Sequence, residues 1–253
     1  MKSKVFAYLV SVLTISVSVV AHASSGHDHW GYGGDVGPDH WGEINQEFAA
    51  CKTGTRQSPI DINITQSVPA DLGDIRFDYQ SISPQVLNNG HTVQVNYTNG
   101  SRITVVDRQF ELAQFHFHTP SENTVNGKTY DMEMHLVHKN ANGELAVVGV
   151  FFKQGKQNVE LEKLVGHLPE HSGEKHTLTN TSLSAANLLP QNRSYAHFNG
   201  SLTTPPCSEG VNWFVVNEPV EASAEQIAQI AAIVGNNARP VQELNNRFVL
   251  SKK

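Results

Sequence analysis

Charge is scarce in this chain. Charged residues fill 17% of its 253 positions, against about 25% in a typical soluble domain. The formal net charge is −6 with no run of lysine or arginine, which argues against nucleic acid or an anionic membrane as the main partner. Long blocks of like charge, internal repeats and Pro- or Gly-rich linkers are also missing, so neither disorder nor a multidomain chain is indicated. Cysteine occurs only twice, and one stretch alone, near the N-terminus, stays apolar for long. The length suits a single all-β domain, a class that often runs to about 200–250 residues. Histidine is abundant instead, with thirteen copies. Their number points to metal or proton chemistry, although most histidines in any protein are surface or satisfied core groups.

Lys2 and Lys4 precede a mostly apolar run from Val5 to Val20, closed by Ala21-His22-Ala23. A basic start, an apolar middle and small residues two apart describe a secretory signal peptide, cleaved after Ala23. The alternative is a membrane anchor. A span needs about 20 predominantly apolar residues, and Ser11, Thr14, Ser16 and Ser18 interrupt this one. No cysteine follows the cleavage site to carry a lipid. Residues 1–23 are therefore expected to be removed and 24–253 to form one soluble, exported domain, periplasmic or secreted, without membrane contact. In such a compartment Cys51 and Cys207 are most simply a disulfide. It would close a loop worth on the order of 5 kcal/mol of chain entropy. A thiol ligand or nucleophile is the other reading, but neither cysteine has a CxxC spacing or a neighbouring histidine.

Residues 24–42, rich in Gly, His, Asp and Trp, read as an irregular arm. Beyond them short apolar runs alternate with turn residues. The spacing predicts strands at 92–97, 102–106, 111–118, 131–138, 145–153 and 211–216, with turns at Asn99-Gly100, Asn126-Gly127 and Asn142-Gly143. Helix signals are few. Ser223 and Gln226 form a capping box ahead of Ile227, Ile230, Ala231 and Val234, and Gly235 stops the run. A weaker helix covers 158–166. One mainly-β domain follows.

The chemistry concentrates in Gln114-Phe115-His116-Phe117-His118. Side chains alternate along a strand, so Gln114, His116 and His118 share one face. The bases of the two imidazoles are then about 6.5 Å apart, close enough for both rings to reach one zinc ion. In Glu133-Met134-His135-Leu136-Val137 the residues Glu133, His135 and Val137 likewise share a face. Antiparallel pairing across the Asn126-Gly127 turn brings His135 opposite the first pair. Three neutral nitrogen ligands without a fourth protein ligand make an open site, the catalytic arrangement. Gln114 and Glu133 can accept the second ring N–H of a ligand histidine. Taken alone, His-x-His is also a common coincidence on a solvated strand face.

His29-Trp30-Gly31-Tyr32, Arg56-Gln57-Ser58-Pro59-Ile60-Asp61, Asn88-Asn89-Gly90-His91, Gln114–His118, Ser121-Glu122, Glu133–His138 and Ser201-Leu202-Thr203-Thr204-Pro205-Pro206 occur in this order. In these stretches the chain resembles the α-class carbonic anhydrases over nearly all of its mature length. The resemblance implies a mainly-β single domain on a central, largely antiparallel twisted sheet of about ten strands, with short peripheral helices. It implies Zn²⁺ on His116, His118 and His135, supported by Gln114, Glu133 and the carbonyl of Asn237. The implied activity is reversible hydration of carbon dioxide to bicarbonate and a proton, by attack of a zinc-bound hydroxide. Anions and sulfonamides are the implied inhibitors, and a homodimer is left open.

By the same resemblance Thr203 donates its hydroxyl to Glu122 and accepts from the attacking hydroxide, with Thr204 beside it. His91 looks like the proton shuttle, Tyr32 orders relay waters, and Val137, Val147, Leu202, Val211 and Trp213 form the apolar substrate wall. Without the other motifs, Thr203-Thr204 is a plain turn before two prolines and Glu122 a surface carboxylate. Thr119 and Asn123 depart from residues common in the family, with loop packing the expected consequence. His27, His29, His40, His167, His171 and His176 have no catalytic match and read as surface groups, apart from weak accessory metal binding at His27-Asp28-His29. Two other readings are open to the same residues: a non-catalytic binding module, which normally loses its zinc ligands, and an ester hydrolase, for which no second general base is evident.

Overall fold

Burial follows the alternation the sequence suggests. Along Val93–Asn96 every second side chain is buried, and Gln85–Asn88 repeats the pattern in the opposite phase. Four longer strands form the middle of the sheet: Arg108–His118, Met132–Lys139, Leu145–Gln154 and Glu209–Ala222. Leu145–Gln154 is buried without a break from Ala146 to Phe152, as a strand covered on both faces must be. The structure, a computed structural model, describes residues 29–98 and 100–252. The expected signal peptide, His27, Asp28 and Asn99 lie outside the described residues.

Among the described residues twelve strands join in one sheet, and Asp61–Ile62 and Thr124–Val125 form a separate parallel ribbon. The fold is mainly β, as expected. Asp61–Ile62, Val68–Ala70, Thr124–Val125, Lys175–Thr177 and Leu250–Lys252 are only two or three residues long, too short to show an alternation of their own. Pairing in the large sheet is antiparallel except at two places. Leu145–Gln154 runs parallel to Glu209–Ala222, and Leu250–Lys252 runs parallel to Val68–Ala70. Phe115, Phe117, Met134, Leu136, Val148 and Phe214 belong to the main core on one face. Val147, Phe151, Val211, Trp213 and Val215 form a second cluster on the other.

Both expected helices are present. Ala224–Val234 carries the full capping box, with Gln226 N–H donating to Ser223 Oγ at 3.3 Å and Ser223 N–H to Gln226 Oε1 at 3.1 Å. Gly235 ends it at φ +64°. Val159–Val165 is capped by the Asn158 side chain. The described part of the N-terminal arm is a correction, for it is packed. Trp41 is fully buried and donates its indole N–H to Gly31 O at 2.8 Å. Trp30 and Tyr32 sit edge-on to it at 5.3 and 5.7 Å. Three aromatic side chains carry enough apolar area to fix an otherwise irregular segment. The Cys51–Cys207 disulfide, 156 residues apart in sequence, joins the same cluster.

Candidate metal centre and active site

Two neighbouring strands bring the three histidines together. Arg108–His118 pairs antiparallel with Met132–Lys139, so that His116 lies opposite His135 and His118 opposite Glu133. A bulge between Leu112 and Gln114 shifts the phase just upstream, so that Leu112 and Phe115 both join the main core. Ring centroids are 5.0 Å apart for His116–His118, 5.4 Å for His116–His135 and 4.5 Å for His118–His135. One nitrogen from each ring lies within 4.8 Å of the other two.

Two of the three outward nitrogens are hydrogen-bonded, and the third has a carboxylate beside it. His116 Nδ1 meets Gln114 Oε1 at 2.8 Å, and His118 Nδ1 donates to the Asn237 carbonyl at 2.9 Å. His135 Nε2 lies 3.1 Å from Glu133 Oε1, a close contact without the alignment of a full hydrogen bond. This fixes which nitrogen each ring turns inward: Nε2 for His116 and His118, Nδ1 for His135. His118 Nε2 and Glu122 Oε2 are buried without any hydrogen-bond partner, a costly state for polar atoms unless something bonds them. Burial pushes all three imidazoles toward the neutral form, with mutual repulsion adding to it for His116 and His135. Neutral rings are what a metal takes. Three histidines with an open fourth position therefore fit a catalytic metal ion.

Two carboxylates flank the rings, Glu133 at the outer nitrogen of His135 and Glu122 near the inward nitrogens. Glu122 Oε2 is 3.5 Å from His118 Nε2 and 3.8 Å from His135 Nδ1. Burial raises Glu122 to about 8, against the opposing pull of the Thr203 hydroxyl and the Arg239 N–H. Burial likewise raises Glu133 to about 7, countered by Asn123. A dication among the rings draws both carboxyls back down. Asn123 corrects an expectation: it does more than pack a loop. Its side-chain amide donates to Glu133 Oε1 and its backbone N–H to Oε2, both at 2.8 Å. Thr119 departs in the anticipated way, bonding Asn237 Oδ1 and Gly235 O in the loop.

A cavity of about 150 Å³ opens over the histidines, bordered by Trp30, Tyr32, His91, Gln94, Gln114, His116, His118 and Thr204. His91 lies at its edge, stacked on Trp30 at 3.7 Å and 6°. Burial lowers its pKa, with His29 adding to the effect. Burial raises the Tyr32 phenol well above its ordinary range, and Glu122 adds to the shift. The apolar residues also converge. Val147 pairs with Val137 on one side and Trp213 on the other. Val211 and Leu202 join their cluster, and the Trp213 ring is 4.8 Å from that of His135. His29, His40, His171 and His176 stay partly or fully exposed and away from the three-histidine group.

The fold and site define a buried, nitrogen-rich centre able to hold a metal ion, with an apolar cluster packed beside it. The family model described as eukaryotic-type carbonic anhydrase matches residues 36–253. A carbonic anhydrase of Nostoc sp. is 43% identical over 251 residues, which is 95% of this chain and 93% of that protein. One from Klebsiella pneumoniae is 46% identical over 225 residues, 88% and 90% of the two chains. The solved α-carbonic anhydrase of Thermovibrio ammonificans, in complex with the inhibitor sulfanilamide, matches with a TM-score of 0.86 at 50% identity, covering 88% of this chain and 98% of that one. The chain belongs to the α-carbonic anhydrase family, and its reaction is the reversible hydration of carbon dioxide.

Proposed function

We propose that the metal is Zn²⁺, held by His116, His118 and His135, and that the other site residues divide the hydration between them. The observation that carries the reading is the set of three nitrogens that converge within 4.8 Å of one another, with the outer nitrogens of His116 and His118 hydrogen-bonded and that of His135 beside Glu133. When bound, zinc supplies Lewis acidity that brings a water's pKa to about 7, a value for which carbonic anhydrase is itself the standard example. In the working enzyme Thr203 turns its hydroxyl hydrogen to Glu122 Oε2, the oxygen that no other group bonds, and can then only accept from the attacking oxygen, which aims that oxygen's lone pair at the substrate. Thr204 borders the cavity beside it. Val137, Val147, Leu202, Val211 and Trp213 offer uncharged carbon dioxide an apolar wall.

Each hydration also releases a proton. An acid of pKa near 7 hands protons to bulk water at only about 10³–10⁴ per second, because recapture is diffusion-limited. Turnover near 10⁶ per second, which carbonic anhydrases as a class can reach, needs a relay. His91 at the cavity edge takes that role, and Tyr32 orders the waters between. The signal sequence at 1–23 directs residues 24–253 to the periplasm or medium, where a disulfide persists. Anions and sulfonamides inhibit, a deprotonated sulfonamide nitrogen taking the attacking oxygen's place.

Stopped-flow hydration, with and without a chelator, tests the assignment. One zinc per chain, loss of activity with the zinc, and inhibition by sulfanilamide are expected. His91→Ala should lower kcat but spare kcat/KM, and small imidazole buffers should restore kcat. Zinc-loaded protein that hydrates carbon dioxide no faster than buffer overturns the reading.

A further inference from the structure

Residues 237–239 lie in an irregular loop beyond the last long helix, yet they touch three parts of the site. The Asn237 carbonyl receives His118 Nδ1 at 2.9 Å. Asn237 Nδ2 donates to the His91 carbonyl at 3.0 Å. Arg239 N–H donates to Glu122 Oε1 at 2.9 Å. No strand ladder holds this loop in register and one backbone bond, Asn237 N–H to Thr119 O at 3.2 Å, ties it to the sheet, so much of its precision rests on side-chain anchoring.

The anchor is the Arg239 side chain, 2% exposed. Its guanidinium donates to Gln57 Oε1 at 2.9 Å, Ser58 O at 2.7 Å and Cys51 O at 3.0 Å, and lies 5.6 Å from the Trp41 ring centroid. Gln57 in turn donates to Cys207 O at 3.1 Å, beside the turn that carries Thr203 and Thr204. A rigid planar fork thus ties the disulfide region to the loop. We infer that Arg239 is a positioning residue for the hydration: its side chain locks the loop so that its own backbone N–H occupies Glu122 Oε1 and leaves Oε2, which has no other hydrogen-bond partner, as the acceptor for the Thr203 hydroxyl. The inference rests on the Glu122–Thr203 assignment above.

A double-mutant cycle separates this role from general support. Glu122→Gln is expected to lower kcat/KM about a hundredfold and Arg239→Lys about tenfold, in the range set by small misplacements of reacting groups. If Arg239 acts through Glu122, the double variant is no slower than Glu122→Gln within about a factor of two, the usual additivity error. Losses that multiply, or an Arg239→Lys enzyme with unchanged kcat/KM, overturn the inference. An unimpaired Glu122→Gln overturns the Glu122–Thr203 assignment itself and the inference with it. Gln57→Ala, which trims the anchor from outside the site, repeats the cycle if Arg239→Lys does not fold. In that variant the backbone amide of Arg239 should also exchange with deuterium at least severalfold faster, and unchanged protection counts against the anchor.

Discussion

His135 and His138 sit three residues apart on one strand, on opposite faces of the sheet, and both are buried. On the back face His138 is fully paired. Its Nδ1 donates to Ala146 O at 3.2 Å, which leaves Nε2 to accept the Tyr79 hydroxyl at 2.7 Å. On the front face neither ring nitrogen of His135 has an aligned protein hydrogen bond: Nε2 has Glu133 Oε1 beside it at 3.1 Å, and the other nitrogen turns toward two more imidazoles. Burial is common to both histidines. What separates a ligand from a core residue is the nitrogen without a protein partner.

The sharpest test of that contrast is His135→Ala. It should cost hydration more than the 10–100-fold typical of losing an outer partner of a metal ligand, while denaturant unfolding shows a far smaller relative change. Stopped-flow kinetics and bound zinc, measured together, check it.

Acid should expose the other histidine. Burial pushes His138 down to about 4, whereas an unfolded histidine titrates near 6.5. Between those values the unfolded chain binds the extra proton, so this contribution to stability is complete above pH 6.5 and is lost as the pH falls toward 4. The loss approaches about 3 kcal/mol, one pKa unit being about 1.4 kcal/mol, and urea unfolding at several pH values measures it.

The smallest expected effect is that of His138→Leu. It leaves the Tyr79 hydroxyl unpaired at a cost of about 1–3 kcal/mol, removes the His138 component of the acid dependence, and spares kcat/KM. Adding Tyr79→Phe should restore most of the stability. A large loss of hydration in either variant would erase the distinction between the faces.

The sequence made the front face legible because a period of two survives in a few residues. Gln114, His116 and His118, then Glu133, His135 and Val137, could be placed from alternation alone. Ser223, Gln226 and Gly235 marked their helix because capping is local chemistry. The partners of short edge strands were hidden. Val68–Ala70 finds Leu250–Lys252 across most of the chain, and three residues are too few to show a pattern. Trp41 read as part of an arm because its burial depends on Trp30, Tyr32 and a distant disulfide. Asn237 entered only through the family resemblance, since a carbonyl acceptor leaves no trace in side-chain identity. Arg239 left no signal at all: a lone arginine in a polar stretch looks like surface until Gln57, Ser58 and Cys51 surround it.

Leu250–Lys252 is threaded between Tyr195–Ser201 and Val68–Ala70. A segment near the start of the fold therefore has no neighbour until residue 250 is available, and a chain still emerging from a ribosome or translocon cannot finish its own sheet. Completion of the sheet has to wait for residue 250, with the Val68 edge open to wrong partners in the meantime. Timing, as much as contact energy, is written into where that strand lies.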